Sequence, residues 1–253
     1  MTQRVLITAG ANGIGLAIAH AFAATGARVH IADVNAEAVE AVTAANENIT
    51  GSVTDVSDPA AVDALFADVR RELGGLDVLI NNAGISGPTA PAEELPFDAW
   101  NAVVNVNLHG TFNVTQRAIP LLKDSDAASV VTMSSLAGRF GYPNRIAYST
   151  TKWALVGFSK TLAIELGEHG ITSNTIHPGA VSGSRMSAVL EGRAKVNGTS
   201  VEEETNNALN NQSVKRFIEP ADIAALVLFL AGPHARTITG QMFPIDGDSK
   251  AAA

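Results

Sequence analysis

Seven short strand-like runs recur along this chain, and several of them, Val5–Thr8 and Leu76–Ile80 above all, are apolar without a polar–apolar alternation. The seven are Val5–Thr8, Arg28–Ala32, Thr50–Val53 (the weakest), Leu76–Ile80, Ser129–Met133, Ile171–Ile176 and Gln241–Ile245. A strand with one face in water alternates, so an unbroken apolar run marks a strand covered on both faces. Between the runs lie segments of helical composition: Leu16–Thr25, Ala36–Ala45, Pro59–Leu73, Phe97–Leu122, Trp153–Leu166 and Pro220–Ala231. Strands that alternate with helices and are buried on both faces are arranged as a mostly parallel sheet between two helical layers. The expectation is an α/β fold: a single doubly wound domain over 1–253, with a mostly parallel seven-stranded sheet flanked by helices on both faces. Ligands then bind outside the carboxyl ends of the strands.

Punctuation agrees with these spans. Pro59 and Pro220 stand at helix starts, and Gly26 and Gly74-Gly75 lie just past helix ends. One region breaks the alternation. Gly183 to Arg216 is long and polar, with a candidate amphipathic helix near Ser187–Ala194. A stretch of this length without a strand is expected to be either a lid over a pocket or a solvated insertion.

Composition excludes several classes of function. The net charge is −8 with a pI near 5.2, and no basic cluster is present, which disfavours nucleic acid and anionic membranes as partners. With no Cys there is no disulfide or thiolate metal site, and the six His show no metal-ligand spacing, so no metal is expected. The start of the chain carries too short an apolar run for a signal peptide, and no apolar stretch approaches membrane-spanning length. A soluble, cytoplasmic protein with a small-molecule substrate is the expectation.

The first strand runs straight into Ala9-Gly10-Ala11-Asn12-Gly13-Ile14-Gly15 and then a helix. Glycines there let a pyrophosphate approach the backbone, and the helix N-terminus offers it N–H groups and a positive dipole end. Asp33 closes the second strand, eighteen residues past Gly15, where a carboxylate accepts ribose hydroxyls and repels a 2′-phosphate. Alternatively, Asp33 caps the helix beginning near Ala36. Farther on, Ala147-Tyr148-Ser149-Thr150-Thr151-Lys152 leads into a helix. Residues four apart share a helix face, so Tyr148 and Lys152 set a phenol beside an ammonium. A cation favours the phenolate and so fits the pair for proton transfer near neutral pH.

Taken together, these segments resemble the short-chain dehydrogenase/reductase family over nearly the whole chain, which implies a Rossmann-type fold. Thr8-Ala9-Gly10-Ala11-Asn12-Gly13-Ile14-Gly15 is similar to the family's Thr-Gly-x-x-x-Gly-x-Gly, with Ala9 where the first glycine is usual. Asn81-Asn82-Ala83-Gly84 matches the family's Asn-Asn-Ala-Gly, Asp55-Val56 resembles its adenine-contacting pair, and Asn107 matches its helix Asn. Family spacing of thirteen residues to the tyrosine selects Ser135 over Ser134, which is expected to be a strand-end hydrogen bonder. Pro178-Gly179 matches the pair flanking the nicotinamide, followed by Val181. The usual Thr a few residues later is replaced by Gly183 between Ser182 and Ser184.

The resemblance implies hydride transfer between a nicotinamide and a secondary alcohol or ketone. Tyr148 exchanges the proton, Lys152 lowers its pKa and holds the ribose, Ser135 positions the substrate oxygen, and Asn107 holds a water leading from Lys152. The implied cofactor contacts are Gly10, Asn12, Gly13, Ile14, Gly15, Asp33, Asp55, Val56, Asn82, Ala83, Gly84, Tyr148, Lys152, Pro178, Gly179 and Val181. Asn12 and Val34, the usual places for an NADP-binding cation, are uncharged, so NAD is the expected cofactor. Arg28 and His30 on the second strand are the cations that could oppose this. A homotetramer or homodimer is implied by resemblance alone. Two other functions compete: a reductase of carrier-bound 3-oxoacyl groups, and a dinucleotide-binding regulator without turnover. The pocket walls are expected from 86–96, 136–145 and the 183–216 segment.

Overall fold

The structure, a computed structural model, describes residues 2–252 apart from the side chain of Arg185. Met1 and Ala253, at the ends of the expected domain, lie outside the described residues. Strands β1 (Arg4–Thr8), β2 (Arg28–Asp33), β3 (Ile49–Val53), β4 (Val78–Asn81), β5 (Ser129–Met133), β6 (Thr172–Pro178) and β7 (Met242–Ile245) form one sheet in the order β3-β2-β1-β4-β5-β6-β7. All six pairings are parallel. The order reverses between β1 and β4, which opens a crevice at their carboxyl ends.

The unbroken apolar strands follow from burial on two faces. Val5 and Ile7 of β1 pack in one core with Val29 and Ile31, beneath Ile18 and Phe22 of helix α1 (Gly13–Ala24). Leu6, between them, points to the other face and joins a second core with Phe66 of α3 (Pro59–Leu73) and Leu122. Helix α2 (Ala36–Ala45) lies between β2 and β3.

The expected long helix Phe97–Leu122 is continuous but not uniform. It comprises α4 (Phe97–Val104), a six-residue π-turn (Asn105–Gly110) and α5 (Thr111–Lys123). Such widened turns recur at functional sites because they redirect one side chain. Helix α6 (Ile146–Glu165) begins two residues before Tyr148, so Tyr148 and Lys152 share its first turns. Helix α9 (Pro220–Leu230) packs on α1.

The 183–216 segment is mostly helical, with more helix than the single expected stretch Ser187–Ala194. Helix α7 (Ser184–Asn197) encloses the expected Ser187–Ala194 and ends on Gly198 in the left-handed conformation. Helix α8 (Val201–Asn210) starts at a capping box, in which Ser200 and Glu203 satisfy each other's backbone N–H groups. Asn197 and Thr199 donate to the carboxylate of Glu204, which fastens the two helices. The segment leaves and rejoins the sheet at one place: Ser182 N–H donates to Ile218 O, and Ile218 N–H to Ala180 O.

Ala9 stands at φ +49°, in the left-handed region that penalises a Cβ by about 1–2 kcal/mol. The local path is therefore the one a glycine would take. Ala9→Gly is expected to raise stability by roughly 0.5–1 kcal/mol after the unfolded chain's added freedom is subtracted, about 2 °C in Tm. A lower Tm would show that no strain is stored there.

Candidate active site

The first half of the site is built at the β1–α1 turn. Gly10 and Gly15 are there for close approach: a Cβ on Gly10 would lie 2.7 Å from Ile31 Cβ, and one on Gly15 would lie 2.1 Å from Ala9 O. Gly13 differs, with φ +53° and open space where its Cβ would be. Asn12 occupies the N-cap of α1 but makes no side-chain cap, and no acid lies in the first turn. The first-turn amides thus face the crevice with a positive dipole end and no internal anion, as a phosphate requires. Thr8 Oγ1 accepts from Asn82 and Ala83 N–H, and Asn82 Nδ2 donates to Thr8 and Ala9 O. Asn82-Ala83 therefore stitches β4 to the glycine turn.

Asp33 is buried at the end of β2, its oxygens accepting from Ala11 and Asn35 N–H. Asn35, rather than Asp33, caps α2. The two cations of β2 point elsewhere. Arg28 bonds the carbonyls of Glu72 and Leu73 at the opposite end of the strand, and His30 is buried between Thr50 and Ser52.

The second half is a joint between β5 and α6. Ser134 Oγ donates to Lys152 O at 2.8 Å, and Lys152 Nζ donates to Met133 O at 2.7 Å. Strand end and helix start are thereby latched from both sides. Ser134 is buried and serves as the strand-end hydrogen bonder expected, while Ser135 turns to accept from Ala137 N–H. Lys152 Nζ lies 5.6 Å from the centre of the Tyr148 ring. Asn107, on the π-turn, is fully buried; its Oδ1 accepts from Ile85 N–H and its Nδ2 donates to Ile85 O and Thr151 Oγ1. Gly84 lies between these groups, since a Cβ there would be 3.2 Å from Asn107 Oδ1 and 3.4 Å from Lys152 Nζ.

Both halves open into one cavity of about 410 Å³. Asn12, Gly13, Ile14, Asp33, Asn82, Gly84, Ser135, Tyr148, Lys152, Pro178, Gly179 and Val181 line it. Gly10, Gly15, Ala83 and Asn107 support it from behind. Asp55 is exposed and engages Ser57, and Val56 is buried, so neither is among the lining residues. Ser182 donates its hydroxyl to Glu219, whereas Ser184 opens α7 at the cavity wall.

Comparison with known proteins agrees with this geometry. A family model described as enoyl-(acyl carrier protein) reductase matches residues 8–247. D-β-hydroxybutyrate dehydrogenase of Cupriavidus necator is 32% identical over 250 residues, covering 97% of this chain and 96% of that protein. The chain belongs to the short-chain dehydrogenase/reductase family. Two solved structures superpose with a TM-score of 0.93 at 30% identity: NAD⁺-bound xylitol dehydrogenase, covering 97% of this chain and 98% of that one, and a variant of actinorhodin polyketide ketoreductase with NADPH, covering 97% and 96%.

Against this short-chain dehydrogenase/reductase background, Tyr142 and Arg193 fall within the segments expected as walls, whereas their pairing and the wall residues near the carboxyl end carry no signal in the linear sequence. Arg193 of α7 bonds the Tyr142 hydroxyl, and Ser249, Ala251 and Ala252 close the cavity from the carboxyl end of the chain. Asp246 pairs with Arg139 at 2.6 Å and backs Gly179 so closely that a Cβ there would lie 2.9 Å from its Cα. His177 is buried behind Ser135; because a carbonyl can only accept, Nδ1–H donates to Ser135 O and Nε2 accepts from Thr175. Among the described residues there is no cluster of His, Cys, Asp and Glu that could hold a metal ion, and no helix long and apolar enough to cross a membrane.

Burial pushes the imidazoles of His177 and His30 down to about 4 from an ordinary 6.5. Below pH 6.5 the unfolded chain therefore binds protons that the folded one refuses. Their contribution to stability is complete above 6.5 and falls as the pH drops toward 4, by roughly 3 kcal/mol for each at the limit. Urea midpoints are expected to fall steadily between pH 6.5 and 4.5, before most carboxylates protonate. A flat profile in that window would refute the assignment of neutral buried histidines.

Proposed function

We propose that the protein is an NAD(H)-dependent oxidoreductase that interconverts a secondary alcohol and a ketone. The observation that carries this reading is the sharing of one cavity by Ser135, Tyr148 and Lys152 with Gly13, Asp33 and the uncapped start of α1. The residues present suit a dinucleotide: amides for its phosphates, Asp33 for a ribose, and Pro178-Gly179 beside its nicotinamide. When bound, that group supplies the hydride acceptor or donor.

The chain's own residues do the rest. Tyr148 takes the proton from the carbinol oxygen in oxidation and returns it in reduction. Lys152, buried near the phenol, stabilises the charge that forms on Tyr148. Ser135 holds the substrate oxygen, and its own carbonyl is fixed by His177. Asn107 braces Ile85 and Thr151, and its Oδ1 and Lys152 Nζ both border Gly84, where a water path from Lys152 to solvent would start. Helices α7 and α8 form the lid, with Met186, Val189 and Ala208 on the cavity wall.

The test is a panel of secondary alcohols, sugars, hydroxy acids and steroids with NAD, read by NADH absorbance. Turnover of at least one class is expected. Tight NAD binding with no turnover on any class would leave a dinucleotide-binding regulator instead.

A further inference from the structure

We infer that the substrate carries a carboxylate, recognised by Arg193 of the lid and Arg145 at the start of α6; this rests on the oxidoreductase reading above. Charge in the cavity is divided by position. Among the described residues lining it, the charged ones are Asp33, Arg145, Lys152 and Arg193. The single acid belongs to the dinucleotide end on β2. Arg145 stands at the N-cap of α6 and Lys152 on that helix, which is latched to β5, three strand spacings or roughly 14 Å from β2, and Arg193 faces them from α7. In a chain of net charge −8, a cavity half lined by cations and no acid runs against the whole-molecule balance.

The placement of the two arginines is specific. Arg145 is 6% exposed, and its Nη1 donates to Gly87 O and Thr89 Oγ1. Its guanidinium lies 5.8 Å from the ring centres of both Tyr142 and Tyr148. Arg193 comes from the opposite wall, half-buried, with its guanidinium 5.2 Å from the Tyr142 ring and bonded to the Tyr142 hydroxyl. Glu204 also acts on Arg193 through its charge, while its carboxylate accepts from Asn197 and Thr199 and lies outside the cavity lining. Two guanidinium groups beside one phenol, next to the phenol that exchanges the proton, make a receptor for a planar anion. At roughly 1.5 Å per carbon–carbon bond, the anion lies within a few carbons of the reacting carbon. Arg193 sits on the lid, so binding the anion also draws α7 over the site.

The experiment pairs 2- and 3-hydroxy acids of four to six carbons with their methyl esters, in wild type, Arg193→Gln and Arg193→Lys. Wild type is expected to favour at least one acid over its ester by about ten- to a hundredfold in kcat/KM. Arg193→Gln should bring that ratio to within about threefold, chiefly through the KM of the acid, and Arg193→Lys should keep most of it. Turnover of esters as fast as acids, or a ratio that Arg193→Gln leaves in place, overturns the carboxylate proposal while sparing the oxidoreductase reading. A second readout needs no turnover: butyrate alone should raise the Tm of wild type and not that of Arg193→Gln. If neither the acids nor the esters turn over, the oxidoreductase reading is decided by the wider panel above, and the butyrate shift decides the anion site by itself. Its loss in Arg193→Gln upholds the site, and equal or absent shifts in the two proteins refute it.

Discussion

Replacing Tyr148 with Phe is expected to lower turnover by about two to four orders of magnitude, the range for losing a general acid–base group. The ring and its packing stay, so the loss isolates the hydroxyl. Dinucleotide affinity should change little, because the glycine turn and Asp33 are untouched. Near-normal turnover in Tyr148→Phe would remove the proton-exchange role. The neighbouring serines give an internal control. Ser135→Ala should reduce turnover strongly. Ser134→Ala loses only the latch to Lys152 O, and its effect should appear first in stability. If Ser134→Ala proved the more damaging to turnover at unchanged Tm, the substrate-positioning role would pass to Ser134.

Cofactor choice is expected to favour NAD over NADP by at least about a hundredfold in kcat/KM. The two superposed structures hold different dinucleotides, one NAD⁺ and one NADPH, so the preference must be argued from this chain's own residues. Asp33 presents a buried carboxylate at the cavity, and Val34 and Asn12 beside it are exposed and uncharged. A 2′-phosphate there meets a like charge and no counter-ion, which costs on the order of a few kcal/mol at intermediate dielectric. Each 1.4 kcal/mol is about tenfold. Arg28 and His30 do not soften this, since both are engaged away from the cavity. Asp33→Ala with Val34→Arg should collapse or reverse the preference. Losing Asp33 also strands Ala11 and Asn35 N–H, so the NAD:NADP ratio is the quantity to compare, rather than either rate. A wild type that prefers NADP, or a double variant with the original ratio, would defeat the assignment.

The parallel sheet is legible in the sequence because a strand such as Val5-Leu6-Ile7 feeds two cores at once and has no polar position to lose. The Tyr148–Lys152 pair is legible because four residues on a helix is a fixed geometry. Helix α8 escapes a reading by composition although its signature, Ser200 three residues before Glu203, is a capping box; the polar character of 183–216 outweighs it. The π-turn at Asn105–Gly110 leaves no mark in composition, since it exists to seat Asn107 against Ile85 and Thr151. Arg193 on Tyr142 and Asp246 on Arg139 join residues far apart in the chain, and no local spacing encodes them. Asp55 resembles a cofactor contact by motif, and its carboxylate accepts from the Ser57 hydroxyl.

The two ends of the 183–216 segment are pinned side by side, where Val181 bridges Ile218. The groups proposed to exchange the proton, by contrast, lie just past the end of β5 and on α6. Such an arrangement makes the segment an interchangeable cassette. A relative's equivalent stretch could be spliced between Ser182 and Ile218 without moving Ser135, Tyr148 or Lys152. On the proposed reading, selectivity for substrate can then drift, in nature or in the laboratory, while the groups assigned to proton and hydride transfer stay where they are.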